Sequence, residues 1–410
     1  MSHSFVFVVS LLYGGGAFAQ DIAVVEPPLD VKAAQFVSSD LMAGPNHEVQ
    51  PTATNDGFVN TYDVGTEWGD VKAVGDYRLR VRVQEANALR ALDDMSRAGI
   101  FGDSLVNGAL APVEAAVDLV TAPVDTVSDA AEGVGRWFGN MADSITSDDP
   151  HQEGAMSAAV GWAQTKRAFA VELGVDPYTD WEPLQEALVS VARAAFAGGI
   201  TAKVAMGMAT EGTALELPVL ALGLTSTMKK KLVDNPPERL AELHREELAA
   251  LGVSDAAIEP FLDNHHYSPM EKLQFVEALT RMKGTEGLEA LVVHASTAPD
   301  KPVARYMQQQ AEMMAKFVAG SPSSILLLKE APMLQTQDGR LVGVFPLDYV
   351  VWTARLAKIM QNLTSQADGA AEAESRELWF EGVASPETRD GMETNGWTVK
   401  EKAQLLIGAT

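Results

Sequence analysis

Histidines 265 and 266 stand side by side in LDNHHYSPMEKL, with Asp263 two residues before them. Two neutral imidazoles and a carboxylate form a donor set that zinc or another divalent ion accepts. The spacing argues the other way. Adjacent residues at a helix end point in different directions, and the chain holds no H-x-x-x-H or H-E-x-x-H pair to place two donors on one helical face. Asp263, His265 and His266 are therefore weak metal candidates, and the stretch reads more simply as a polar turn before a helix capped by Ser268. No cofactor is expected.

Other chemistries leave less. The chain has no cysteine, which removes disulfides, thiolate metal sites, a thiol nucleophile and a thiol for lipidation. No G-x-S-x-G elbow is present. GVGRWFG at residues 133–139 has the glycines of a phosphate loop, but no strand precedes it and it sits inside an amphipathic stretch, so it reads as a helix break. Asp56, Asp63, Asp70 and Asp76 are seven, seven and six residues apart, too sparse for a calcium loop and well suited to turns. Acid–base pairs of carboxylates leave almost no local trace, so hydrolysis by carboxylates stays open.

The strongest pattern is structural. Val106, Leu110, Val113, Val117, Val120, Val124, Val127, Val134, Phe138, Met141 and Ile145 follow a 4-3 heptad spacing through residues 106–145. Pro112, Pro123, Gly133 and Gly135 break or kink any helix there. Acidic residues dominate the opposite face against the lone Arg136, whereas a helix lying on a membrane carries lysine and arginine. The stripe is expected to meet a protein partner, another copy of the chain or the core, with a membrane surface as the alternative.

Net charge bears on partners. With 56 acidic and 31 basic residues, the chain carries −25 and repels nucleic acid. The opening MSHSFVFVVSLLYGGGAFAQ has an apolar run and a small-x-small step at Ala17-Phe18-Ala19, the marks of a secretory signal, although no lysine or arginine precedes the run. A periplasmic or secreted location is expected.

These features must be positioned by elements, and the patterns predict a mainly α protein with a multi-helix core, a small N-terminal β region and a C-terminal α+β unit. The segments are a signal peptide at 1–19, a linker or arm at 20–45 and a β-plus-helix region at 46–100. Amphipathic and small-residue helices follow at 101–230, a helical bundle at 231–320 and the α+β unit at 321–410. Asp76 is placed to start a helix, with an alternating strand over RLRVRV as the alternative. TDWE at 179–182 and SPME at 268–271 read as capping boxes. The Ala/Gly-rich stretch at 187–228 is a buried helix pair or a hairpin inserted in lipid, its charges weighing against the second. A hairpin turns at Asp338-Gly339, a helix starts at Leu347, and Ser385-Pro386 opens a short helix between two strands.

Three functions fit this chain. The first is an exported non-catalytic protein acting by interaction through amphipathic helices. The others are a lipid-associating protein with an inserting hairpin and a hydrolase working through carboxylates.

Overall fold

The computed structural model describes residues 22–97, 161–203, 205, 223–321, 323–329, 331–370 and 373–403. Helices dominate these residues, with antiparallel and mixed sheets toward the two ends. They form two compact units, the first built from residues up to Arg80, Ala241–Tyr267 and from Glu271 onward, the second from Val81–Leu240 and Ser268–Met270.

The first unit begins with an antiparallel sheet. Its strands are β1 (Leu29–Lys32), β2 (Ala43–Gly44), β3 (His47–Val49), β4 (Thr52–Asn55), β5 (Asn60–Gly65) and β6 (Val71–Val74), with a short helix α1 (Ser39–Met42) before β2. The order is β1-β4-β5-β3-β2, and β6 also pairs with β5. The segment read as an arm thus supplies an edge strand, because Leu29 and Val31 alternate with the exposed Asp30 and Lys32 and pair along β4. Between β4 and β5 the chain turns on Asp56, whose Oδ1 accepts the amides of Phe58 and Val59 at 3.0 Å each, and on Gly57 at φ +101.

Helix α2 (Asp76–Arg97) follows directly, so RLRVRV is helical. Its residues from Val81 onward belong to the second unit, with α3 (Trp162–Glu172), α4 (Glu182–Ala197) and α5 (Ser226–Asp234). Leu89, Leu92, Met95, Phe169, Leu173, Leu184, Leu188 and Leu232 are among its buried apolar residues. TDWE does not form a capping box. The Thr179 hydroxyl accepts the Trp181 amide and donates to the fully buried Glu85 at 2.5 Å, and α4 starts after it, at Glu182. Ser268, directly before the helix that begins at Pro269, gives its hydroxyl to Asp176 at 2.6 Å.

The rest of the first unit runs through α6 (Pro237–Ala250, from Ala241), α7 (Asp255–Leu262), α8 (Pro269–Arg281, from Glu271), α9 (Leu288–Ser296) and α10 (Lys301–Gly320). A second sheet comes next. Strands β7 (Ser323–Leu328), β8 (Ala331–Thr336) and β9 (Arg340–Phe345) form an antiparallel meander, turning at Gly339, where φ is +82. Strands β10 (Tyr349–Val350) and β12 (Val383–Ala384) pair with each other, parallel. Helices α11 (Ala354–Ala370) and α12 (Pro386–Thr394) then carry the chain over to β11 (Ser375–Phe380) and β13 (Thr398–Lys400), both parallel to β9, in the order β13-β11-β9-β8-β7.

The helix expected from Leu347 starts seven residues later. The amides of Asp348 and Tyr349 both reach the Phe58 carbonyl, which holds this stretch extended, and the Thr353 hydroxyl then accepts the Leu356 amide at 3.0 Å to open α11. One apolar core, including Phe261, Tyr267, Phe275, Met314, Leu334, Val342, Leu378 and Trp397, runs beneath α7 to α12 and the second sheet. Among the described residues no helix is long and apolar enough to cross a membrane. The 187–228 stretch falls partly outside those residues.

Candidate functional site

In a sheet with parallel strands, the chain leaves each strand at the same end, and side chains just past adjacent carboxyl ends meet there. Strands β9 and β11 end side by side at Phe345 and Phe380. Asp348 lies three residues past the first and Glu381 one residue past the second. The Glu381 amide is tied to the Phe345 carbonyl at 3.2 Å and the Val383 amide to the Asp348 carbonyl at 2.9 Å. The third carboxylate comes from the start of α2, where Asp76 follows Gly75.

Asp348 is buried and uses both oxygens on backbone. Oδ2 accepts the Asn60 amide at 2.9 Å and Oδ1 accepts the Asp76 amide at 3.0 Å, the latter at a helix start, where backbone N–H groups lack partners inside the helix. Asp76 is only half-buried. Its Oδ1 receives the Tyr62 hydroxyl at 2.5 Å and the Asn60 side-chain amide at 3.4 Å, and neither bond uses Oδ2. Asn55, Asn60 and Tyr62, all fully buried, form the polar floor: Asn55 donates to Asn60 at 2.9 Å and Asn60 to Tyr62 at 3.0 Å. Arg80, one helical turn after Asp76, closes the cluster by pairing with Glu381 at 3.0 Å.

The electrostatics follow. Burial pushes the Asp348 carboxyl well above the usual carboxylate range, the Asp76 charge adds to the push, and the Asn60 and Asp76 amides pull it down. Burial also raises Asp76, against the Tyr62 and Asn60 hydrogen bonds and the Arg80 charge. Magnitudes explain why the rise wins. A hydrogen bond to a charged group contributes about 1.5–3 kcal/mol, while removing a carboxylate from water costs several kcal/mol and a second carboxylate beside it adds repulsion. The pair therefore holds a proton at pH values where exposed carboxylates have lost theirs. Burial and the Asp76 charge raise the Tyr62 phenol as well, so it stays a donor.

Of the residues singled out in the sequence, Asp76 alone joins this cluster. Asp56 serves its own turn and Asp63 pairs with Lys72. Asp263 ends α7 and His266 lies in the next turn, its amide bonded to Asn264 at 2.9 Å. Among the described residues no group of three histidine or acidic side chains could hold a metal ion. The stripe from Val106 to Ile145 lies outside the described residues.

Comparison with protein families, with characterised proteins and with solved structures found no match to this chain.

Proposed function

We propose that the chain is a hydrolase working by carboxylate acid–base chemistry, with Asp76 as the group that exchanges a proton with substrate. One observation carries this reading. Two neighbouring carboxylates, both raised by burial, stand where two parallel strands end, and the outer one, Asp76, is half-buried with Oδ2 outside the bonds from Tyr62 and Asn60. A carboxylic acid that keeps its proton above the ordinary range can give it to a leaving group and take one back from water. In this scheme Asp348 is the positioning residue that holds the start of α2 and keeps Asp76 protonated. Tyr62 and Asn60 orient the carboxyl, and Arg80 and Glu381 set the charge around it. Three carboxylates against one guanidinium suit a neutral or cationic substrate better than a phosphate ester.

The test is turnover of chromogenic glycosides and carboxylic esters by the full chain and by Asp76→Asn. Turnover that drops by about 10²-fold or more in the variant is expected. A wild-type protein that turns over none of them, or a variant as fast as wild type, overturns the proposal.

The apolar opening with its Ala17-Phe18-Ala19 step supports export, and periplasmic or secreted action is part of the proposal. A protein partner, self-association or membrane contact through the Val106–Ile145 stripe rests on sequence periodicity alone.

A further inference from the structure

Within the first unit, the loop from Leu347 to Val351 is laid along the turn between β4 and β5. Asp348 and Tyr349 donate to the Phe58 carbonyl, Val351 donates to the Gly57 carbonyl at 3.0 Å, and Asn55 donates to the Tyr349 carbonyl at 3.1 Å. The Gly75 amide bonds to the Asn60 carbonyl at 2.7 Å, which adds the start of α2. This seam joins the N-terminal sheet, the start of α2 and the second sheet, and the Asp348 side chain bonds to backbone of both β5 and α2.

We propose that the Asp76–Asp348 pair is a proton-set latch on this seam, closed while the pair holds a proton and loosened once both carboxylates are ionised. It rests on the same pair as the proposed hydrolase and describes its regulation. The groups facing the pair are Asn60 and Tyr62 from β5, Arg80 from α2 and Glu381 from the turn after β11. Asp56 and Arg355 face one another at the turn before β5. Among the described residues Arg80 is the cation whose charge acts on the pair, and it is shared with Glu381. Among the described residues no cation besides Arg80 acts on the pair, so the repulsion of a second negative charge falls on the backbone bonds that Asp348 makes.

The direction follows from linkage. A carboxyl whose folded value lies above its unfolded one contributes stability below the unfolded value and loses it as pH rises through the folded value. The seam is tight in mild acid and loosens toward neutral and alkaline pH.

The test is hydrogen exchange of the Asn60 and Asp76 amides in the full chain between about pH 5 and about pH 8, expressed as protection so that the intrinsic pH dependence of exchange cancels. Wild-type protection is expected to fall about tenfold or more across this range, the size of a coupling near one pKa unit. Asp76→Asn, which keeps the acceptor for Tyr62 and Asn60 without the charge, is expected to keep high protection throughout. Tyr62→Phe removes a bond that favours ionised Asp76, so its loss of protection moves to higher pH; this arm serves if Asp76→Asn does not fold. Protection in wild type that is flat with pH, or a Tyr62→Phe curve superimposed on wild type, overturns the latch. A flat profile with Asp76-dependent turnover removes the latch and keeps the hydrolase, while a pH-dependent profile without turnover does the reverse.

Discussion

Gly382 lies against the backbone of Asp348, and a Cβ built on it stands 1.8 Å from the Asp348 carbonyl oxygen and 2.8 Å from its Cα. The obstruction is backbone, which has no rotamer to give way. The Gly382 amide meanwhile bonds to the Leu347 carbonyl at 2.8 Å, fixing the two segments together. Gly382→Ala is expected to cost about 3 kcal/mol or more, the upper range of overpacking, and to displace Asp348 from the Asn60 and Asp76 amides. Denaturant unfolding measures the first effect. Faster exchange of those two amides in the folded protein measures the second, and a variant with wild-type stability would contradict the prediction.

The Arg80–Glu381 pair gives opposite predictions for its two members. Arg80 pulls the Asp76 carboxyl down, and Glu381 pushes both Asp76 and Asp348 up. Arg80→Gln is expected to let the carboxyl pair hold its proton to higher pH, and Glu381→Gln to make the pair release it at lower pH. Because the two side chains are 30% and 15% exposed, the ion pair itself is worth only about 1 kcal/mol or less. Carboxyl carbon shifts followed through a pH titration would show the two midpoints moving apart while unfolding midpoints stay nearly unchanged. Movement in the same direction for both variants would contradict the assignment.

What was legible beforehand was local. Asp76 opens a helix because a polar residue precedes a long amphipathic run. Gly339 turns a hairpin because it adopts positive φ, and Ser385 opens α12 by accepting the Thr388 amide at 3.2 Å. The site was not legible, since its partners meet from far apart in the chain. Asp348 reaches the Asp76 amide across 272 residues, and Glu381 gains its position only once β9 and β11 are known to lie parallel. Thr179 failed as a cap for a related reason. A capping hydroxyl accepts an amide of the first turn, and the Thr179 hydroxyl, held by Glu85 from 94 residues earlier, accepts the Trp181 amide ahead of the helix instead.

That buried Glu85 supports a prediction in the second unit. Its Oε2 meets Arg82 at 2.7 Å, its Oε1 the Thr179 hydroxyl at 2.5 Å, and Arg82 continues to Asp180 at 2.8 Å. Glu85→Ala leaves the buried Arg82 with the Asp180 carboxylate alone and the Thr179 hydroxyl without its acceptor, so it is expected to cost about 3 kcal/mol. Replacing Arg82 and Glu85 together by Met and Leu should cost far less than the single change, because both buried charges leave together and Asp180, the remaining partner of Arg82, is 20% exposed and can meet water. A double-mutant cycle by chemical denaturation measures the difference, and additive costs would show that the two residues act independently.

His294 supplies a pH dependence of opposite sign to that of the carboxyl pair. It sits near the end of α9, 9% exposed, and burial lowers its imidazole from 6.5 to about 4. A histidine held neutral in the fold contributes stability above its unfolded value and loses it as pH falls toward the folded one. A shift of this size corresponds to about 3 kcal/mol, lost between about pH 6.5 and about pH 4. His294→Leu cannot take up the proton, so its stability should be flatter over that acid range while the loss on the alkaline side, set by Asp76 and Asp348, persists. Unfolding free energies measured across both ranges separate the two: a variant that retains the full acid loss would place that loss on some other group.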